Sequence, residues 1–303
     1  MSTIALSEGR ADPSIETGAA EISGHHGSLS RRTSLLLIAP LGILLAAVFF
    51  LPIANFLLRS VFDPDLTLSH YASLFAEPLY LRILLRTLWI ALATTGLTLV
   101  LGYPIALLMT RLNGVWAAAV SLCVVIPLWT SVLVRSYAWI VLLQRNGLVN
   151  QGLQQLGLIE RPLQLLHTDG AVLIAMTQVL LPFMVLPVYA TLRNISPDLV
   201  RAAHNLGAGR FRAFLAITVP LSLPGAAAGA VMIFVLALGF YITPALVGGP
   251  RTLMIATLIS QQATELSNWP FAAALSVVLL LMSLCVTLAF KRLLGVDRIV
   301  HHG

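Results

Sequence analysis

The chain has 303 residues, of which 58% are hydrophobic and 10% charged, and its mean hydropathy is +0.91. Soluble domains carry about 25% charged residues, so the charges here are too few to cover a water-facing surface. The composition excludes a soluble, disordered, collagen-like or disulfide-stapled protein and predicts an all-α polytopic protein of the lipid bilayer. The net charge of +6 comes from 17 Arg and one Lys. In a membrane protein such an excess indicates topology rather than a nucleic-acid partner, and none is expected.

Six segments are long and apolar enough to cross a bilayer core, which requires about 20 residues. They are residues 35–58, 87–110, 115–143, 171–192, 223–247 and 268–290, the third interrupted by Arg135. A further stretch, 252–264, is too short to span and is interpreted as an interfacial or re-entrant helix. Residues 1–34 are polar and small, which predicts a disordered tail. Residues 293–303 are expected to form a C-terminal tail.

The distribution of positive charge between the loops predicts the orientation of the chain. An even number of crossings puts both tails and the 111–114 and 193–212 loops on one side. That side carries Arg31, Arg32, Arg111, Arg193, Arg201, Arg210, Arg212, Lys291, Arg292 and Arg298. The other side carries Arg59, Arg82, Arg86, Arg145, Arg161 and Arg251, in longer loops. The positive-inside rule therefore predicts that both termini are cytoplasmic.

No motif in the sequence indicates catalysis. The only Lys, Lys291, lies outside any Gly-x-x-x-x-Gly-Lys-Ser/Thr pattern, so no ATP site of the P-loop type is expected. Metal motifs such as His-Glu-x-x-His and Cys-x-x-Cys are absent from the sequence, and we expect no metal, no cofactor and no enzymatic activity. The six predicted spans contain no Asp or Glu, which argues against a carrier driven through a carboxylate proton relay.

Two features within the spans concern packing and the solute pathway. The segment Gly225–Gly229 has small residues four apart, which favours close packing against another span. Arg135 is the only charge inside a long apolar run, and two roles are open for it, in the pathway or as an anchor at the membrane interface. Cys123 and Cys285 lie in apolar runs and are predicted to be buried packing residues.

The loop between the fourth and fifth spans carries the most informative pattern. Ser196 is a good N-cap for a helix whose first residue is Pro197. Gly207 is a typical helix terminator, and a second helix is expected to begin near residue 209. One face of the first helix would carry Leu199, Ala202, Ala203 and Leu206. A short capped helix between two spans suits docking into a groove on a partner, and the alternative is an ordinary connecting loop.

This loop resembles the signature loop of bacterial ABC importer permeases. That signature reads Glu-Ala-Ala, three residues, Gly, nine residues, Ile, one residue, Leu-Pro. The matching positions here are Ala202, Ala203, Gly207, Ile217 and Pro220. The chain departs from the signature at Arg201, where the family usually has Glu, and at Val219, where it has Leu. The first departure reverses a charge on the presumed docking surface.

Further stretches resemble the spermidine/putrescine-type permeases. They are Leu101–Pro104, Ile126–Thr130 with Arg135, Leu181–Pro187 and Asn268–Ala272. The resemblance implies a type I importer fold over residues 35–292, with a coupling loop at 193–219. Leu199, Arg201, Ala202, Ala203, Leu206 and Gly207 would contact the ATPase. It also implies two ATPase subunits that bind the ATP, a second permease, a periplasmic solute-binding protein, and a location in the bacterial inner membrane.

The resemblance favours a polyamine as the solute, although opine and other small-solute importers have similar permeases. Aromatic faces attract such cations. The candidate pathway residues are Trp129, Arg135, Tyr137, Phe240 and Tyr241. Two other functions are open: a self-sufficient secondary carrier or channel, and a membrane anchor for an assembly.

Overall fold

The computed structural model describes residues 31–62 and 65–294. The predicted tails, 1–34 and 293–303, therefore lie outside the described residues except for 31–34, which begin α1, and 293–294, which end α14. Within the described ranges the regular structure is helical, apart from one isolated bridge between Phe62 and Leu66, which confirms the all-α prediction. The helices are α1 (Arg31–Leu45), α2 (Leu51–Leu58), α3 (Ser69–Ala76), α4 (Pro78–Arg111), α5 (Gly114–Trp129), α6 (Val132–Leu143), α7 (Leu148–Gln155), α8 (Asp169–Arg193), α9 (Pro197–Asn205), α10 (Arg210–Ala213), α11 (Val219–Leu238), α12 (Ile242–Val247), α13 (Ile255–Ser260) and α14 (Trp269–Leu294).

The chain divides into two units, residues 1–54 and 55–303. In the first unit, α1 begins at Arg31, four residues before the predicted span, and a π-helical turn at Ala46–Phe50 follows it. All side chains described between residues 37 and 54 are exposed. An apolar helix without protein cover requires lipid or another chain around it.

The core of the second unit is formed by three long helices, α4, α8 and α11, packed on one another. Their contact surfaces bury Ile90, Met176, Met184 and Phe234 almost completely. A second cluster joins α3, α13 and α14 to the first turns of α4. The 34 residues of α4 measure about 51 Å at about 1.5 Å per residue, so this helix extends beyond a hydrocarbon core of about 30 Å.

The third predicted span is broken between Trp129 and Val132, so the prediction of one continuous helix over residues 115–143 is wrong. Helix α5 and the segment Val132–Gln155, which comprises α6 and α7, meet at an angle of 103°. Among the described residues, five other helices are long and apolar enough to span, so the predicted six spans are reached only if α5 and that segment count as one. Pro127 lacks an N–H group, and the Thr130 hydroxyl donates to its carbonyl at 2.9 Å. Thr130 and Ser131 then adopt non-helical backbone angles, so the chain turns before Arg135.

The fifth predicted span, 223–247, is also wrong at its end. Helix α11 stops at Leu238, and residues 239–241 separate it from α12. At the other end, α10, a π-helical turn at Phe214–Thr218 and α11 run on from one another, so an apolar helical segment extends over Arg210–Leu238. The stretch at 252–264 is not among the helices long enough to span, as predicted, and Ile255 and Leu258 within it are buried.

Candidate functional site

The predicted loop helix forms as α9, and both of its ends match the sequence interpretation. The Ser196 hydroxyl accepts from the Asp198 N–H at 3.3 Å, and Pro197 is the first helical residue. At the other end Gly207 has a φ of 84°, which glycine adopts without strain. The N–H of Ala208 donates to the Ala203 carbonyl at 2.9 Å, so the last turn closes on this glycine.

The predicted apolar face of α9 points away from the rest of the chain. Leu206 is 89% exposed and Leu199 is 47% exposed, and Ala202 is exposed as well. Ala203 alone is half-buried, because the inner side of α9 contacts α10 and the turn at 214–218. Leu199 and Leu206 are therefore available for contact with a partner.

Arg201 forms an ion pair within its own helix. Its Nη1 atom lies 2.9 Å from Oδ1 of Asp198, and both side chains are largely exposed. Exposed pairs of this kind contribute little to stability and exchange readily with solvent. The charge that replaces the family's usual Glu is therefore held near α9 but remains available to a partner.

The helical segment Arg210–Leu238, which follows α9, packs closely on the core helices α4 and α8. The hydroxyl groups of Tyr103 on α4 and Ser222 on α11 lie 2.7 Å apart. A Cβ atom on Gly225 would lie 2.2 Å from Oγ1 of Thr191, and one on Gly229 would lie 2.9 Å from Sδ of Met184. The small-residue face of α11 therefore packs against α8, which confirms that prediction.

The candidate pathway residues lie at the two helix breaks. Trp129, 87% exposed, ends α5; Arg135 and Tyr137 lie on α6; Phe240 and Tyr241 lie between α11 and α12. The Arg135 guanidinium donates to the carbonyls of Thr130 at 3.4 Å and Val179 at 3.5 Å. Among the described residues, no ring contact joins two of these aromatic side chains. The two breaks are joined by a buried contact, because the hydroxyls of Ser136 on α6 and Thr243 on α12 lie 2.9 Å apart and both residues are fully buried. No local sequence motif indicates this contact.

The opposite end of α8 carries a polar cluster that the sequence analysis did not identify. Nε of Arg86 lies 3.7 Å from Oδ1 of Asp169, and its Nη1 donates to the Arg251 carbonyl. The His167 N–H donates to the Val247 carbonyl at 3.1 Å. These contacts hold α4, α8 and the loop after α12 together. Arg86 and Asp169 are 83 positions apart in the chain, so no local sequence motif indicates this cluster.

A cleft of about 820 Å³ lies beside α9. It is lined by the end of α4, the start of α5, the end of α8, α9 itself and the start of the next helical segment. Its basic lining residues are Arg111, Arg193, Arg201, His204 and Arg210. The predicted same-side loops 111–114 and 193–212 therefore converge. Within the described ranges, no three His, Cys, Asp or Glu side chains are grouped so that they could hold a metal ion.

Comparisons with known proteins agree with this geometry. A family model described as a binding-protein-dependent transport system inner membrane component matches residues 99–294. The chain is 35% identical over 226 residues to the spermidine/putrescine transport system permease protein PotB of Escherichia coli (strain K12), which covers 75% of this chain and 82% of PotB. It is 36% identical over 246 residues to the inner membrane ABC transporter permease protein YdcU of the same strain, covering 77% of each.

The fold also matches a solved transporter. A crystal structure of a bacterial ABC transporter involved in the import of the acidic polysaccharide alginate superposes with a TM-score of 0.70 at 21% identity, over 87% of this chain and 96% of that chain. This match confirms the predicted permease architecture. The chain therefore belongs to the family of binding-protein-dependent transport system inner membrane components, and it is a multi-pass permease of an ABC importer.

Proposed function

We propose that this permease imports a polyamine and is driven by ATPase subunits that bind α9. The single observation that carries the coupling role is the capped α9 helix with Leu199 and Leu206 exposed on its outer face. Burying such leucines in a groove on a partner contributes about 1.5–3 kcal/mol for each side chain. Leu199, Arg201, Ala202, Ala203, Leu206 and Gly207 form or support this contact.

Motion of the ATPases passes into the membrane through the segment Arg210–Leu238. This segment begins three residues after Gly207 and packs tightly on α8 and α4, so we expect a displacement of α9 to reach the core through it. Switching a two-state gate from 1:99 to 99:1 requires about 5.5 kcal/mol of differential binding. ATP is bound by the ATPase subunits alone, and the permease has no cofactor and no catalysis of its own.

The working transporter contains further components. A second permease completes the translocation path, and a periplasmic solute-binding protein delivers the solute at the face opposite α9. Both termini are cytoplasmic, which the excess of arginine on the α9 side supports. Cysteine labelling of intact cells tests this orientation: a Cys introduced at Gly207 should resist an impermeant maleimide, and one at Gly157 should react.

The polyamine assignment is supported by the names of the relatives and by the charges opposite α9. PotB is named for spermidine and putrescine. The described carboxylates of the loops opposite α9 are Asp65, Glu77, Glu160, Asp169 and Glu265. The same loops carry six arginines, so these carboxylates offer individual ion-pair partners to a cationic solute rather than a net attractive field. Arg135 is directed to backbone carbonyls, and the aromatic residues beside it provide faces for cation–π contact.

Uptake of radiolabelled spermidine tests the function. The permease and its neighbouring ATPase, permease and binding-protein genes would be expressed in cells that lack their own polyamine uptake. We expect ATP-dependent uptake that Ala203→Asp and Gly207→Asp abolish while the chain still inserts. The ATPase should co-purify with the normal chain and be lost when residues 196–220 are scrambled. Solute flux through the reconstituted single chain without ATP would instead support a self-sufficient carrier or channel.

A further inference from the structure

The cleft beside α9 has an unusual charge balance. Four arginines line it, one from each of four separate segments: Arg111 ends α4, Arg193 ends α8, Arg201 lies on α9 and Arg210 begins α10. His204 lines it as well, and no Asp or Glu is among its lining residues. The fold thus brings together positive charges that are up to 99 positions apart in the chain.

Only one of these arginines is neutralised by the part of the chain that the structure describes. Arg201 pairs with Asp198, whereas no described carboxylate lies within 4.0 Å of Arg111, Arg193 or Arg210. Like charges that share a concave surface repel one another, and an anion in the cleft removes this repulsion. The planar guanidinium binds phosphate oxygens through two parallel hydrogen bonds, which makes arginine clusters well suited to phosphate groups.

The cleft also has apolar walls, to which Leu107, Leu192 and Phe214 contribute. It lies at the ends of α4 and α8, two of the long helices of the core. A bilayer carries phosphate groups at both of its faces, and basic pockets at the ends of membrane helices bind anionic headgroups. This holds whichever side of the membrane α9 faces.

We propose that the cleft is a binding site for a phosphate-bearing anion. Arg111, Arg193 and Arg210 hold the phosphate, and the apolar walls accept the glycerol and first acyl carbons when that phosphate belongs to an anionic phospholipid. A soluble phosphate compound offers the same oxygens. Because the arginines come from α4, α8 and α10, an occupied site connects α10, the helix that follows α9, to two core helices.

Native mass spectrometry of the full-length chain in a neutral detergent tests the site. The lipid probe is phosphatidylglycerol against phosphatidylcholine, and the soluble probe is pyrophosphate. The test variant is R111Q/R193Q/R210Q, and the matched control R59Q/R145Q/R161Q removes the same charge from the opposite loops. We expect the normal chain and the control to retain phosphatidylglycerol in preference to phosphatidylcholine. Each arginine removed should weaken binding by about fivefold.

The two sources are separated by which probe depends on the three arginines. Loss of phosphatidylglycerol in the triple variant supports a lipid site, and loss of pyrophosphate alone supports a soluble ligand. Equal binding of both probes by the normal chain and the triple variant would overturn the proposal. If the triple variant aggregates, the single variants and R111K/R193K/R210K, which keeps the charge, test the same site. We then expect partial retention of the bound probe in the lysine variant and a smaller loss in each single variant.

Discussion

Gly225 of α11 lies so close to Thr191 of α8 that a Cβ atom at position 225 would be 2.2 Å from the threonine hydroxyl oxygen and 2.5 Å from the Pro187 carbonyl. No real side chain tolerates such distances, and the nearest backbone atom cannot move aside cheaply. The contact joins the helical segment Arg210–Leu238, which follows α9, to α8 of the core. It is therefore a packing constraint between these two segments.

Gly225→Ala should destabilise the protein by about 1–3 kcal/mol, the usual range for overpacking. Thermal unfolding in detergent, followed by tryptophan fluorescence, measures the change. Gly96→Ala is the matched control, because Gly96 also lies inside a long helix but has no atom within 4 Å of a built Cβ. That control should be neutral or slightly stabilising, since alanine is the better helix former. Equal melting temperatures for the two variants would contradict the packing.

Thr87 provides a second test of how the core is held. Its hydroxyl donates to the Ile83 carbonyl at 2.8 Å and accepts from the Ile255 N–H at 2.9 Å, which caps the start of α13 from another helix. Thr87→Val leaves that buried N–H without a partner, a loss of about 1–3 kcal/mol.

Thr98→Val is the matched control for Thr87→Val, because Thr98 is equally buried but its hydroxyl donates only to carbonyls of its own helix. Hydrogen exchange of the segment from 250 to 265 should accelerate in the Thr87 variant and stay normal in the control. Unchanged exchange at Ile255 in both variants would show that the cap is dispensable.

The elements that sequence could predict are those that depend on local pattern. The cap at Ser196, the terminating Gly207 and the apolar runs of α4, α8 and α14 are local, and the structure has all of them. The breaks at 130–131 and 239–241 were missed, because an apolar run is compatible with one long helix or with two helices that meet at an angle. Length and hydropathy do not distinguish these cases.

Cys123 and Cys285 show a related error. They were predicted to be buried because their neighbours are apolar, yet both are exposed on the described chain. In a membrane protein an apolar surface can face lipid or another chain, so hydropathy alone does not report burial. The cleft arginines could not be grouped from sequence either, since their convergence depends on how four segments pack.

The hydrogen bond between Ser136 and Thr243 gives a direct test of the link between the two helix breaks. Both side chains are fully buried, and their oxygens lie 2.9 Å apart. Ser136→Ala alone should cost about 1–3 kcal/mol, because the buried Thr243 hydroxyl then loses this partner. Thr243→Val alone should cost less, because the Ser136 hydroxyl still donates to the Val132 carbonyl at 2.9 Å. The double variant should cost less than the sum of the two, with a coupling of about 0.5–1.5 kcal/mol in a double-mutant cycle. Strict additivity would show that α6 and α12 are not coupled through this pair.

Leu206 tests the docking surface without disturbing the fold. It is almost fully exposed, so Leu206→Asp should leave the melting temperature of the isolated permease unchanged. In the complete transporter the same change places a charge in an apolar groove, and ATPase affinity should fall by at least about tenfold.

Leu158→Asp is the control, since Leu158 is 68% exposed in a loop that precedes α8, away from α9. Co-purification and ATP-driven uptake should be lost for Leu206→Asp and kept for Leu158→Asp. Normal ATPase retention by both variants would show that the outer face of α9 is not the point of contact, because burying an unpaired aspartate in an apolar groove would weaken binding.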